Sequence, residues 1–314
     1  MKRYITLDGG TTNTKISVVS GGKIIDTVRV ASGGTSGIAS DVRGAYFSAV
    51  RCAIDELLAR CALSEGDIFR IIASGTMATS ELGLYPCDHL FTPVGIEELK
   101  CGAIEVVIPE ISPIPFVIIR GVKTACKELL DADMMRGEEA EIMGLLTAED
   151  DDCAYMLMGS HTKIVRVEGG RISDISTLLT GEIIAAISGD TILKHAFSVK
   201  SCTLDSDYIK KGYEYRSERG ESEAYFKVRV LKNIFGATDS EAYSFFLGIA
   251  LFGEVEHIRR LGIGRVIVGG NRYLKEAVCL LLEAFTDAEV KRLSDEEVDA
   301  SVPQGLVKIF EFEK

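Results

Sequence analysis

The stretch LDGGTTNTKISVVSGGKIID, Leu7 to Asp26, recurs in part near the middle of the chain. TNTKISVVSGGKIID (Thr12 to Asp26) aligns without a gap on SHTKIVRVEGGRISD (Ser160 to Asp174), and eight of the fifteen positions are identical. The shared residues are Thr-Lys-Ile, a Val, the Gly-Gly pair, an Ile and the closing Asp. This is hairpin chemistry. Lys15 to Val19 and Lys23 to Val30 alternate as strands, and Gly21-Gly22 supplies the positive φ of a tight turn. Gly169-Gly170 does the same between Lys163 to Val167 and Arg171 to Ser176.

An apolar strand precedes each hairpin, Tyr4 to Leu7 and Ala154 to Met158, and ends in a small-residue turn. The first turn is Gly9-Gly10-Thr11-Thr12, followed by Asn13, and the second is Gly159-Ser160. Small residues let backbone amides approach a ligand, and hydroxyls add donors, so each turn is a candidate anion nest. A single Gly-Thr turn is more often plain structure. Two copies facing one ligand would clamp a polyphosphate.

Asp8 ends the first strand, and its charge would repel phosphate unless a hard cation stood between them. Mg²⁺ resolves the conflict, because it binds one or two carboxylates together with phosphate oxygens. A turn-capping carboxylate is the plainer alternative. The second copy has Met156 at the equivalent position, so only one half is expected to hold metal. Lys15, Lys163, His161 and Thr162 follow the turns and are candidates to contact phosphate, although a strand lysine is often merely solvated.

Outside the repeat, strands and helices alternate, which indicates α/β layers. Helical spacing runs over Val42 to Ala62, Glu138 to Leu146, Gly181 to Ile187, Ser244 to Ile258 and Tyr273 to Phe285. Phe69 to Ala73, Val117 to Ile119 and Arg265 to Gly270 read as strands, and Ser201 to Lys227 as an insertion or a surface helix pair. RVIVGGN places Gly269, Gly270 and Asn271 at a strand end, where a base or ribose could lie against the backbone. Ser74, Gly75 and Thr76, and likewise Thr180 and Glu182 in TGE, open helices and could receive an anionic group. In DADMMRGEEAEIMGL, Arg136 beside Gly137 at a helix start suits planar recognition of a carboxylate or phosphate. The acids after it are ordinarily dipole compensation.

The 314 residues suit two domains, divided at the acidic run near Glu149 into 1–149 and 150–314. A net charge of −12 disfavours nucleic acid, and no apolar run reaches the ~20 residues of a membrane span. The eight cysteines show no CxxC, so neither a zinc site nor a disulfide framework is expected. A cytoplasmic protein is expected, with a homodimer left open.

DGGTTNTK and GSHTK with a later VGGN resemble the actin, heat-shock chaperone and sugar-kinase superfamily. MRGEEAEIMG, MGSHTKIV, LLTGEI and LGIALFGEVEHI, in that order, resemble the 2-dehydro-3-deoxygalactonokinase family over about the whole chain. The resemblance implies two related actin-like (ribonuclease H-like) domains with a central ATP cleft. It also implies transfer of the ATP γ-phosphoryl group to a hydroxyl of a 2-keto-3-deoxy sugar acid, with Mg²⁺. Asp8 would orient the metal. Glu138 is the first candidate for the base and Asp133 the second, and Arg136 would hold the sugar-acid carboxylate. A kinase of another small sugar or acid, or an ATP-binding sensor or chaperone-like switch, remains the alternative.

Overall fold

Gly21 and Gly22 have φ of 56° and 74°, and Gly169 and Gly170 have φ of 57° and 70°. These are the left-handed values that a two-residue hairpin needs to match strand twist. In the computed structural model residues 1–10, 13–31, 40–79, 84–126, 128–198 and 202–313 are described. In chain order the elements are β1 Arg3–Gly9, β2 Asn13–Ser20, β3 Lys23–Ala31, α1 Ser40–Arg60, β4 Arg70–Gly75, β5 Leu90–Phe91, α2 Ile96–Cys101, β6 Ile104–Ile108, β7 Ser112–Ile118, β8 Val122–Lys123, β9 Met134–Met135 and α3 Glu138–Leu145. They continue with β10 Asp152–Met158, β11 Thr162–Glu168, β12 Arg171–Leu178, α4 Thr180–Asp190, α5 Ser206–Arg219, α6 Glu221–Phe235, α7 Asp239–Ala250, α8 Phe252–Leu261, β13 Arg265–Gly270, α9 Arg272–Phe285, β14 Glu289–Arg292 and α10 Asp295–Glu311.

The chain forms two compact units: Met1–Asp151 with Val167–Ile175 and Glu296–Lys314, and Asp152–Arg166 with Ser176–Asp295. The first holds a six-stranded sheet, β3-β2-β1-β4-β7-β6. β1, β4 and β7 run parallel, and β2 and β3 form the antiparallel hairpin at one side. The second sheet is β12-β11-β10-β13-β14, again a hairpin beside parallel strands. The sequence repeat is thus a repeat of topology, and the fold is the expected α/β class.

One face of the first sheet buries Ile5, Leu7, Ile16, Val18, Ile71 and Ala73 against α1, whose buried Tyr46, Val50, Ile54, Leu57 and Leu58 keep helical spacing. The second core packs α5 to α9 on β10 and β13. Two expectations change here. The single helix over Ser244 to Ile258 is α7 and α8, separated at Leu251, where ψ is 6°. Apolar periodicity misses the break because both helices face one core. The segment after residue 201 is the helix pair α5 and α6.

The last helix, expected with the second half, belongs to the first unit. Tyr4 OH donates to Glu311 Oε1 at 2.7 Å, and Lys308 Nζ donates to the Met143 and Leu146 carbonyls at the end of α3. Gly305 lies against the Ala140 carbonyl more closely than any Cβ could. Among the described residues no helix is long and apolar enough to cross a membrane.

The α3–α10 crossing predicts opposite outcomes for two glycines of the first unit. Gly305→Ala should destabilise by about 1–3 kcal/mol through overpacking. Gly44→Ala in α1 has no neighbour within 4 Å of the added carbon and should stabilise by about 0.5–1 kcal/mol through helix propensity. Urea unfolding of both variants checks the pair, and a neutral Gly305→Ala contradicts it.

Candidate active site

The carboxyl edge of the first sheet is built from register. Asp8 pairs with Lys15 across β2 and with Ser74 across β4. Register partners on neighbouring strands share a face, so Lys15, Asp8 and Ser74 form a row opposite Leu7, Ile16 and Ala73. Gly75, at φ 73°, passes so close to the Gly9 carbonyl that no side chain fits. Gly137, which precedes α3, packs on the other side of Gly75. These contacts bring β1, β4 and the start of α3 to one place. Gly10 N donates to Asn13 O at 3.0 Å and closes the first turn, while Thr76 Oγ1 lies 3.5 Å from Gly10 O. Thr11 and Thr12 lie outside the described residues.

Four carboxyl groups gather there. Burial pushes Asp8 up to about 6; the Lys15 charge opposes this and Glu138 adds to it. Glu141 is pushed up to about 8 by burial and then by the charges of Asp8 and Glu138. Glu139 also reaches about 8, chiefly from burial, although Gly137 N donates to both its oxygens at 3.0 and 2.8 Å. Glu138 Oε2 accepts from Arg136 N at 3.0 Å. Lys15 is held from the far end of the chain, donating to Asp299 O at 2.7 Å and Oδ1 at 3.0 Å. Ser74 Oγ is buried with no partner within hydrogen-bond distance among the described residues.

The structure separates the two candidate bases. The Glu138 charge acts on Asp8, Glu139 and Glu141, whereas Asp133 is not among the charges that shift them. Asp133 Oδ1 accepts from Met134 N, and its main chain pairs with Thr124. Arg136 bonds two carbonyls: Nη1 donates to Ala78 O at 2.9 Å, and Nη2 to Cys87 O at 3.2 Å with His89 Nδ1 at 3.4 Å. Burial, followed by the Arg136 and Lys123 charges, lowers His89 to about 4, so its ring is neutral and can accept.

The second unit repeats the edge without the acid, but the counterpart of Asp8 is Leu157, not the expected Met156: Leu157 pairs with Gly269 as Asp8 pairs with Ser74, and Met156 faces the apolar core. Leu157 and Met158 pair with Gly269 and Gly270, and Asn271 N donates to Met158 O at 2.7 Å. Asn271 Oδ1 caps α9 by accepting from Tyr273 N and Leu274 N. Gly181 fits against the Gly159 carbonyl and Ser160, and Glu182 N donates to Ser160 O at 3.0 Å. His161 Nε2 lies 2.8 Å from Glu182 Oε1. Thr180, Glu182, Gly159, Ser160, His161, Gly269 and Gly270 therefore meet at one edge. Lys163 instead crosses the hairpin to donate to Thr177 Oγ1 at 2.7 Å.

Sequence reasoning passed over Glu139, Glu141 and Glu254. The first two sat in a run explained as dipole compensation, and Glu254 sat in an amphipathic helix. Thr162 Oγ1 donates to Glu254 Oε1 at 3.0 Å.

Two α/β sheets, each with a glycine-edged loop after its first strand, define the actin-like class of folds. Residues 8–309 match the model of the 2-keto-3-deoxy-galactonokinase family, and the chain belongs to that family. A relative from Rhizobium meliloti, named a probable 2-dehydro-3-deoxygalactonokinase, is 28% identical over 195 residues, which are 62% of this chain and 58% of the relative. The match thus spans less than two thirds of that relative's length. A crystal structure of a candidate 2-dehydro-3-deoxygalactonokinase from Sinorhizobium meliloti superposes with TM-score 0.78 at 20% identity, covering 98% of both chains. Component A of (R)-2-hydroxyglutaryl-CoA dehydratase from Acidaminococcus fermentans superposes with TM-score 0.54 at 14% identity, covering 98% of this chain and 97% of that one. These two likenesses concern the fold.

The raised Glu141 predicts a pH dependence. Its carboxyl titrates near 8 when folded against 4.5 for the ordinary group. The folded protein therefore binds more protons in that window, and stability falls as pH rises through it. Glu141→Gln should exceed the wild type by about 1–3 kcal/mol near pH 8.5 and by less near pH 5, read by urea unfolding. An equal difference at both pH values contradicts the reading.

Proposed function

We propose that the protein transfers the γ-phosphoryl group of ATP to a hydroxyl of a 2-keto-3-deoxy sugar acid such as 2-dehydro-3-deoxy-galactonate. The observation that carries this reading is the meeting of Asp8 and Glu138 at the carboxyl edge of the first sheet, in a chain whose residues 8–309 match the kinase family. In the second unit, Gly159, Ser160 and His161 take phosphate oxygens, Thr162, expected to join them, is buried with its hydroxyl on Glu254, and Gly269 with Gly270 accept the adenosine. In the first unit, Gly9, Gly10, Thr11, Thr12 and Asn13 take phosphate oxygens near Lys15. Ser74, Gly75, Thr76 and Arg136 serve the sugar acid, with Arg136 anchored on the Ala78 and Cys87 carbonyls and presenting its charge to the carboxylate.

Glu138 accepts the proton of the attacking hydroxyl. A bond forms from that oxygen to the γ-phosphorus, the bond from the γ-phosphorus to the β–γ bridging oxygen breaks, and ADP leaves. Most of the acceleration comes from positioning and charge neutralisation.

The residues suit Mg²⁺. Among the described residues no group of three or more His, Cys, Asp and Glu side chains could hold a metal by itself. A hard cation shared by one carboxylate, water and phosphate needs no such group. Asp8, whose ionised form burial disfavours, is the carboxylate that a cation would stabilise. Bound through Asp8, Mg²⁺ supplies neutralisation of phosphate charge.

Asp8→Asn should lower kcat at least about a hundredfold while keeping the circular dichroism of the wild type and an unfolding midpoint no lower than the wild type's, because the amide removes a carboxylate that burial disfavours. A wild-type rate at saturating Mg²⁺ contradicts the metal role. Assayed with ATP, the wild type should prefer keto-deoxy sugar acids to hexoses and N-acetyl sugars by at least about a hundredfold in kcat/KM. Preference for a neutral hexose contradicts the acid assignment.

A further inference from the structure

Thr14 and Thr162 occupy the same place in the two repeats, and both are fully buried. In the first unit Thr14 Oγ1 lies 2.6 Å from Tyr46 OH, a neutral phenol from α1 that donates in turn to Met77 Sδ at 3.2 Å. In the second unit a carboxylate takes the place of the phenol: Glu254 Oε1 accepts from Thr162 Oγ1 at 3.0 Å. Glu254 comes from the first turn of α8 and is 0% exposed. Its carboxylate also meets the hydroxyl of Thr180, the first residue of α4.

Burying a carboxyl group is costly unless hydrogen bonds compensate it. An apolar side chain could fill the volume, but it would leave two threonine hydroxyls unmet. A carboxylate can accept from both at once. The two threonines sit on the segments that make up the glycine edge of this unit. Thr162 closes the Gly159–His161 turn, and Thr180 opens the helix whose Gly181 rests on Gly159 and Ser160. Above, Glu182 N donates to Ser160 O at 3.0 Å, and Glu182 Oε1 meets His161 Nε2 at 2.8 Å. Glu254 joins the same two segments from beneath.

We infer that Glu254 is a positioning residue that locks the second phosphate turn to the first turn of α4, so that both meet the nucleotide phosphates as one preformed surface. The phosphate part of this inference rests on the kinase reading above, whereas the lock itself does not. The chemistry recognised is that of a nucleoside triphosphate, and Glu254 acts on it through Thr162 and Thr180 without touching it.

Hydrogen–deuterium exchange of the ligand-free protein reads the lock directly. Glu254→Ala should accelerate exchange at residues 159–162 and 180–183 by about tenfold or more, with β13 unchanged. Glu254→Gln, which keeps one acceptor oxygen, should stay within about threefold of the wild type. If Glu254→Ala does not fold, Thr180→Val should free the start of α4 in the same assay. Unchanged exchange at both segments overturns the inference, and so does acceleration spread evenly through the unit, which would make Glu254 a core residue only. Kinetics then separate the roles: KM for ATP should rise at least about fivefold in Glu254→Ala while KM for the sugar acid stays within about twofold. Equal rises in both, or none, overturn the positioning role. If the wild type phosphorylates no sugar acid, the kinase reading fails while the exchange result still decides the lock.

Discussion

Strand register, set by the turns at the two ends of β2, is the constraint on which the first unit depends. Gly21 and Gly22 adopt left-handed φ and hold β3 opposite β2, and the turn closed by Gly10 N and Asn13 O holds β2 opposite β1, so that Lys15 stands beside Asp8. Because side chains alternate, a slip of one residue would exchange the two faces. Were β2 to slip, Ile16 and Val18 would leave the core, and Lys15 would turn away from Asp8. The apolar face therefore enforces the polar one, and the edge chemistry follows from packing. β4 joins the same row through Ser74, and Gly75 lets its backbone pass close enough to bring α3 to the edge.

That arrangement crowds acids where water is scarce. Asp8, Glu139 and Glu141 all titrate above the ordinary carboxylate range, with burial as the largest cause. The relief is local and partial. Gly137 N serves Glu139, and the Lys15 ammonium lowers Asp8 and Glu141. Lys15 is itself placed by Asp299, which lies on the last helix of the chain. The second unit keeps the hairpin and the glycine edge but has Leu157, paired with Gly269, where the first has Asp8 paired with Ser74. It carries its buried acid, Glu254, on a helix beneath the turn. The duplicated scaffold has thus been divided, with a carboxylate exposed to chemistry in one half and a carboxylate used as a fastening in the other.

Local signals were legible in the sequence. The two Gly-Gly hairpins, the strand RVIVGG with its following helix, and the helix opened by Thr180 all rest on turn chemistry or short-range periodicity. The family resemblance also held, since residues 8–309 match the kinase model. Features made by partners distant in sequence were not legible. α10 joins the first unit through Tyr4, Lys15 and a glycine contact on α3, none of which leaves a periodic trace. The small sheet β5-β8-β9 has two-residue strands, too short for alternation to register. Glu139 and Glu141 looked like plain first-turn acids until the fold buried Glu139 beside Glu138 and set Glu141 near Asp8 and Glu138. The bonds from the Arg136 guanidinium to the Ala78 and Cys87 carbonyls likewise leave no trace in the sequence.

The central claim is phosphoryl transfer at the Asp8 edge. Phosphorus NMR of the wild-type protein mixed with ATP, Mg²⁺ and 2-dehydro-3-deoxy-galactonate tests it most directly. The account predicts a new phosphomonoester resonance growing in step with ADP, with no comparable release of inorganic phosphate. ADP accompanied by inorganic phosphate alone, or no loss of ATP, would contradict it.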